Sequence, residues 1–298
     1  MKHFDPSTLT IPEVHSYLLG AIGPRPIAFA STIDVHGRPN LSPFSFFNCF
    51  GANPPLLIFS PARRGRDNTT KHSFHNVQAV PEVVINVVTY AMVQQMSVAS
   101  GEYPEGVNEF EKAGFTAIAS EKVKPFRVKE SPVQFECVVK QVIETGTGGG
   151  AGNLVLCEVV MIHVDESVLD ANGKIDQRKI DLVGRMGGQT YARAHGDALF
   201  ELAQPNQHIG VGVDALPAEA RWSTVLSGND LGKLGAALSI PDETAVNEYK
   251  LTELSDTFIA LNENPEALRN ALHQHAKDLL AQGRVEEAWR TILTYNQR

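Results

Sequence analysis

Residues Ser60–Asn76, SPARRGRDNTTKHSFHN, gather Arg63, Arg64, Arg66 and Lys71 with the hydroxyls of Ser60, Thr69, Thr70 and Ser73, and close in a short helical pattern. Guanidinium, ammonium, hydroxyl and free N–H groups at a helix start are what a phosphate monoester requires. A solvated loop has a similar composition, so the segment alone leaves both readings open. Just upstream, residues 40–50, NLSPFSFFNCF, set Phe44, Phe46, Phe47 and Phe50 among Ser42, Ser45, Asn48 and Cys49. A strand that only packs a core alternates apolar and polar positions, and this one does not. Phenyl rings beside small polar groups suit the wall around a flat heteroaromatic ring, whose faces need apolar cover and whose edges need hydrogen bonds. Phosphate loop and aromatic wall together imply a phosphorylated, planar cofactor.

Other groups carry weaker signals. The run GTGGGA, Gly146–Ala151, satisfies G-x-G-x-x-A and follows a strand pattern, but the residues after it read as another strand. A dinucleotide fingerprint needs a helix N-terminus there, so a flexible hairpin tip is expected instead. His72 and His75 are spaced i, i+3 on the short helix, with no third ligand in reach, so no metal site is expected. His163 lies in a strand pattern with Asp165 two residues on; a barrel histidine bonded to backbone or to Asp165 is the structural alternative to any chemical role. Gly184–Tyr191, GRMGGQTY, allows close backbone approach, with Arg185 or Tyr191 bordering a cofactor or subunit contact, or else a simple turn. No catalytic triad or paired carboxylate stands out.

Before residue 195, short β-rich runs alternate with turn signals: Ile27–Ile33, Leu56–Ser60, Val83–Val88, then Val133–Ile143 and Leu154–Val164 as a long hairpin. Many strands with only short helices between them predict a barrel or sandwich, not a doubly wound sheet. After it the pattern turns helical. Asn264-Pro265-Glu266 starts a helix whose face carries Leu268, Leu272, Ala276, Leu279 and Leu280, and Val285, Ala288, Trp289, Ile292 and Leu293 form a second face. This pair resembles one unit of a helical repeat, but a lone hairpin packs more economically as an extension. SGNDLGKLGAAL, residues 227–238, reads as a capped helix for packing, with a lid over the cofactor as the alternative.

At 298 residues, 43% hydrophobic and 20% charged, the chain has the balance of a globular protein with room for a sizeable core. A net charge of −8, with no long basic run, argues against a general nucleic-acid or anionic-membrane surface. No signal-peptide core or membrane span is apparent, and Cys49, Cys137 and Cys157 are too scattered for a disulfide framework; a reduced, cytoplasmic setting is expected.

The chain resembles the flavin reductase-like proteins of the FMN-binding split-barrel fold. The resemblance rests on GPRPIAFASTID (23–34), GRPNLSPFSFFNCFGANPPLLIFSP (37–61), KHSFHN (71–76), EVVIN (82–86) and CEVVMIHVDESVL (157–169), and spans residues 20 to about 195. It implies a mainly β FMN-binding split β-barrel with short helices over 1–195, followed by a helical C-terminal extension over 196–298. It implies cofactor contacts at Ser31, Thr32, Ser45, Phe46, Phe47 and Asn48, and phosphate contacts at Ser60, Lys71 and Ser73, with Arg66 beside them. His72 stands where the family has an acidic residue, which weakens the mapping around Lys71. The matching strand histidine, His163, is implied to place the nicotinamide near the flavin. The expected activity is FMN-dependent NAD(P)H oxidation, hydride passing from NADH or NADPH to the flavin, in a homodimer that can serve an acceptor protein. A flavin-binding electron carrier without direct NAD(P)H turnover is the alternative.

Overall fold

The computed structural model describes residues 1–202 and 208–296. The chain divides into two compact units, Met1–Phe200 and Glu201–Arg298.

The first unit is built on one antiparallel seven-stranded sheet. Its strands are β1 (Ala28–Ile33), β2 (Pro39–Phe44), β3 (Phe47–Ala52), β4 (Pro55–Phe59), β5 (Glu82–Val87), β8 (Val133–Glu144) and β9 (Asn153–Val164), in the order β2-β1-β5-β8-β9-β4-β3. Two-stranded ribbons add β6 (Ala117–Ile118) with β7 (Arg127–Val128), and β10 (Val183–Arg185) with β11 (Tyr191–Arg193). The two edges, β2 and β3, are consecutive in sequence with only Ser45 and Phe46 between them. Three Cα steps span at most about 11 Å. A flat sheet would hold its outer strands about 29 Å apart, six spacings of roughly 4.8 Å. The sheet must therefore curl until its edges meet at Ser45-Phe46, which is the geometry of a split barrel.

β1 divides the core. Every one of its residues is buried, as befits a strand flanked by β2 and β5 and covered on both faces. Phe29 joins Leu41, Met92, Met96, Phe110 and Phe115 in a cluster that takes in residues of helices α3 (Val93–Ala99) and α4 (Glu109–Ala113). Ala28 and Ala30 face Phe44, Phe59, Ile85, Cys137 and Cys157, the barrel interior. Burial pushes the Cys137 and Cys157 thiols well above the ordinary range, so both act as small hydrophobes. Helix α1 (Ile11–Ala21) opens with a Thr10/Glu13 capping box yet has no buried residue, and α2 (His72–Ala79) lies against β1 and β2.

The second unit is helical: α5 (Ala218–Arg221), α6 (Gly228–Gly235), α7 (Glu243–Glu253), α8 (Ser255–Leu261), α9 (Pro265–Ala281) and α10 (Val285–Leu293). Asn264 caps α9 by accepting from the Ala267 N–H at 3.0 Å; Ala276, Leu279 and Leu280 of α9 join the apolar face of α10 in the core around Trp289, whose Nε1 donates to the Leu234 carbonyl at 2.9 Å, while Leu268 and Leu272 pack with Tyr249 and Leu254. Among the described residues no helix is long and apolar enough to cross a membrane.

Candidate functional site

The cationic loop is folded against the β8–β9 turn. The Arg63 N–H donates to the Ala151 carbonyl at 2.9 Å, the Gly150 N–H to the Arg63 carbonyl at 3.1 Å, and Asn68 Nδ2 to the Thr147 carbonyl at 2.9 Å. A Cβ on Gly149 would stand 3.1 Å from the Gly65 carbonyl oxygen and 3.2 Å from that of Arg64. The glycine run is thus the tip of a hairpin, as its failed helix context implied, but it is packed and not free: it backs the loop and fixes its path.

The loop's charges divide sharply. Arg63 pairs with Glu144 at 3.3 Å, Arg64 with Glu102 at 3.2 Å, and Arg66 with Asp67 at 3.0 Å and Glu102 at 2.9 Å. Arg66 is thereby committed on an exposed surface. Lys71 forms none of the ion pairs among the described residues. Its ammonium lies 5.4 Å from the Phe44 ring centroid, and burial, then the Arg64 charge, hold its pKa below the ordinary lysine value. Lys71 is also the N-cap residue of α2, which begins without a side-chain cap, so its first N–H groups remain for a ligand. Ser60, buried just past the end of β4, accepts at 3.0 Å from the Asn153 N–H and keeps its hydroxyl proton to donate.

Ser73 and Thr32 serve this cradle from behind. Ser73 Oγ donates to Asn40 Oδ1 at 2.7 Å, Asn76 Nδ2 to Thr32 Oγ1 at 3.0 Å, and Asn40 Nδ2 to Glu109 Oε1 at 2.8 Å. Burial pushes the Glu109 carboxyl up, against the Leu41 N–H that binds it at 3.0 Å. Both hydroxyls are buried in this network, which ties α2 and α4 to β1 and β2. Ser31 and Thr32, adjacent in a strand, point to opposite faces, so they cannot line one ring together. Ser31 Oγ is buried with no hydrogen-bond partner among the described residues.

The aromatic corner stands at the meeting of the sheet edges. Ser45 is half-buried, Phe46 exposed and Phe47 half-buried, and the Phe46 carbonyl accepts from the Ser60 N–H at 2.9 Å, joining corner to cradle. Exposed Asn48 turns its Oδ1 to the Cys49 N–H at 2.8 Å. A cleft of ≈ 310 Å³ opens beside Ser45 and Phe46, lined also by His15, Arg25, Ser100, Arg185 and Tyr191. Arg25 is the group that sequence reading passed over; its only signal is a lone cation amid Pro24, Pro26 and the apolar start of β1.

His163 lies elsewhere in the barrel. Its Nε2 meets Glu136 Oε1 at 2.7 Å, and Glu136 also accepts from the N–H groups of Glu121 at 2.9 Å and Lys122 at 2.6 Å. Burial opposes the Glu136 charge, but these N–H groups and His163 outweigh it and hold the carboxyl below its usual range. The expected partner Asp165 is engaged instead with the Ser167 N–H at 2.8 Å. His75 Nε2 meets Thr70 Oγ1 at 2.7 Å, and among the described residues no three His, Cys, Asp or Glu side chains come together to hold a metal ion.

A curled antiparallel sheet whose two edges meet at an aromatic corner defines a split barrel, and the start of α2 sets an unpaired lysine beside the Phe44 ring. The chain belongs to the flavin reductase-like family: residues 21–179 match the model of the flavin reductase like domain. An uncharacterized protein of Aquifex aeolicus (strain VF5) is 36% identical over 202 residues, covering 68% of this chain and 98% of that one. The crystal structure of nitrilotriacetate monooxygenase component B from Bacillus cereus is similar with a TM-score of 0.63 at 30% identity, over 68% of this chain and 98% of that chain. A Shewanella frigidimarina NCIMB 400 protein, assigned as a flavin reductase with a split barrel domain, aligns with a TM-score of 0.57 at 26% identity, over 68% of this chain and all of that one.

Proposed function

We propose that the protein is an FMN-binding oxidoreductase that accepts reducing equivalents from NADH or NADPH. The observation that carries this reading is the half-buried, unpaired Lys71 ammonium at the uncapped start of α2, set 5.4 Å from the ring centroid of Phe44, the residue that precedes the Ser45-Phe46 corner. The residues fit the cofactor. Lys71, Ser60 and the first N–H groups of α2 offer a phosphate monoester what it lacks in water, a fixed array of donors. Phe46 and Phe47 offer apolar cover to a ring, and Ser45 and Asn48 offer hydrogen bonds at its edge. A monophosphate cradle with a single free lysine favours FMN over FAD. Ser73 and Thr32 position α2, and Arg66, neutralised by Asp67 and Glu102 on an exposed surface, is not a phosphate contact.

FMN, when bound, supplies a ring that takes up hydride and passes electrons on, so the protein's part is binding, orientation and exclusion of water. The exposed apolar residues Ile11, Tyr17, Leu18 and Ile22 in and just after α1, with Phe46 and Phe50 at the β3 edge, support a homodimer that covers this side of the barrel. Because the Bacillus cereus protein is by name one component of a monooxygenase, transfer of electrons to a separate acceptor protein fits the same reading, in a reducing cytoplasm where three free thiols persist.

A visible absorption spectrum recorded anaerobically, before and after adding NADH and then NADPH, tests the proposal. A flavin band that bleaches with one donor is expected and names it. A band that persists with both moves the assignment to a flavin carrier served by another protein, which the commitment of His163 to Glu136 favours. A colourless protein that takes up no FMN overturns both.

A further inference from the structure

The Arg25 cleft contains a charge arrangement that the cofactor cradle leaves unused. Arg25 is 5% exposed. Its Nη1 donates to the Leu19 carbonyl at 3.0 Å and to that of Ile22, and its Nη2 to the Met186 carbonyl at 2.9 Å, while Nε has no acceptor. These bonds satisfy carbonyls at the end of α1 and in the β10–β11 turn, but neutral oxygens cancel none of the charge. Arg185 stands close enough to act on it: burial, then the Arg185 charge, lower the Arg25 pKa. Neither guanidinium forms an ion pair among the described residues, and the cleft lining contains no Asp or Glu.

Two adjacent guanidinium groups without a carboxylate repel one another, and a buried charge without a counter-charge is costly. The fold nevertheless builds the pair in. A Cβ on Gly184 would stand 2.6 Å from the Pro24 Cβ and 3.2 Å from the Arg25 carbonyl oxygen, so the glycine lets β10 bring Arg185 against the Arg25 segment. Arg185 lies over the Tyr191 ring at 4.6 Å and donates to the Gly188 carbonyl, which orients its plane. Hydroxyls of Ser45 and Ser100, the His15 imidazole and the rings of Phe46 and Tyr191 complete a lining of cations, donors and aromatic surface. At ≈ 310 Å³ the cleft is within the range of small-molecule sites.

We propose that this cleft is an oxyanion subsite, in which Arg25 and Arg185 seat the phosphate or carboxylate of a second planar ligand lying beside the Phe46 wall. The inference rests on the flavin reading, because Ser45 and Phe46 serve both places. The oxyanion has two chemical sources, the diphosphate of a pyridine dinucleotide or the carboxylate of an aromatic acid.

The test is calorimetric titration of the full chain, loaded with FMN, with inorganic pyrophosphate and separately with benzoate, in the native protein, Arg185→Gln and Arg185→Lys. We expect one probe to bind, at least tenfold weaker in Arg185→Gln, with part of the loss restored in Arg185→Lys, and FMN affinity by visible absorbance unchanged. Pyrophosphate binding identifies the dinucleotide and benzoate binding alone the aromatic acid. Binding of neither probe, or equal binding in Arg185→Gln, overturns the subsite; so does loss of FMN in that variant, which would put the guanidinium in the flavin's own site. If the native protein takes up no FMN, the flavin reading fails on absorbance, and the same titrations on the flavin-free chain still decide the arginine cleft.

Discussion

Lys71 is where residue identity decides most. Its side chain loses hydration to burial and feels Arg64, so its folded pKa lies below the ordinary value of 10.5. The sign follows: the free protein gains stability as pH rises from the folded pKa toward the unfolded one, and a bound phosphate reverses this by favouring the ammonium. FMN affinity should therefore be flat near neutrality and decline on the alkaline side sooner than an ordinary lysine would allow. Riboflavin, which lacks the phosphate, should show no such decline. Lys71→Ala should weaken FMN by about 10- to 100-fold, the worth of one charge-assisted bond of roughly 1.5–3 kcal/mol, with riboflavin unaffected; fluorescence titrations across pH read both. Equal losses for the two ligands would mean that Lys71 supports the fold and not the phosphate. The composition of Ser60–Asn76 made a phosphate site one of two open readings, because a solvated loop gathers the same cations and hydroxyls. Which cation is free was not legible, since Glu102 and Glu144, far off in sequence, neutralise the arginines.

At the scale of elements, the β8–β9 hairpin explains why His163 was read two ways. Strand alternation placed Asp165 on its face, but the partner comes from across the ladder. Glu136 is paired with Met161, so His163 is its diagonal neighbour, beside a register shift between Glu136 and Cys137. Diagonal neighbours depend on register and bulges, which a single strand's sequence does not contain. The alternation rule, by contrast, puts the side chains of Ser31 and Thr32 on opposite faces of β1, whereas the resemblance had implied both as cofactor contacts. The Glu136 cluster ties the 121–123 loop to the sheet, and a carboxyl whose folded pKa is lowered stabilises above its unfolded pKa and loses that contribution as pH falls through the folded one. His163→Ala should lower stability at pH 7 by about 1–3 kcal/mol, because a buried carboxylate loses a partner, and should move acid unfolding to higher pH. Flavin affinity should stay the same. Chemical denaturation checks the first and an acid titration the second; unchanged stability with a raised KM for the nicotinamide donor would restore the placement role instead.

For the whole molecule, the division at Phe200 separates two kinds of core. The strand-rich half was readable as a barrel or sandwich from its short β runs, with the split barrel implied only by the family resemblance, because only the pairing order places β2 and β3 at opposite edges with two residues between them. The helical half was readable from capping and periodicity at Asn264 and along α9 and α10, where local signals suffice. Every residue of the proposed cofactor cradle, the aromatic corner and the arginine cleft lies before Phe200. The Aquifex aeolicus relative is matched over 98% of its own length by 202 residues, 68% of this chain, so the family's barrel exists as a protein of about that size. A chain ending at Phe200 should accordingly fold with an intact barrel core and bind FMN within about twofold of the full chain, since no cradle residue or its partner is removed. Both tryptophans, Trp222 at 82% exposure and buried Trp289, belong to the second unit, so the shortened chain has no indole emission, and quenching of flavin fluorescence gives its affinity directly. Loss of FMN from a shortened chain that remains folded by circular dichroism would assign the helical unit a part in cofactor binding, and with it the lid that residues 227–238 left open as an alternative.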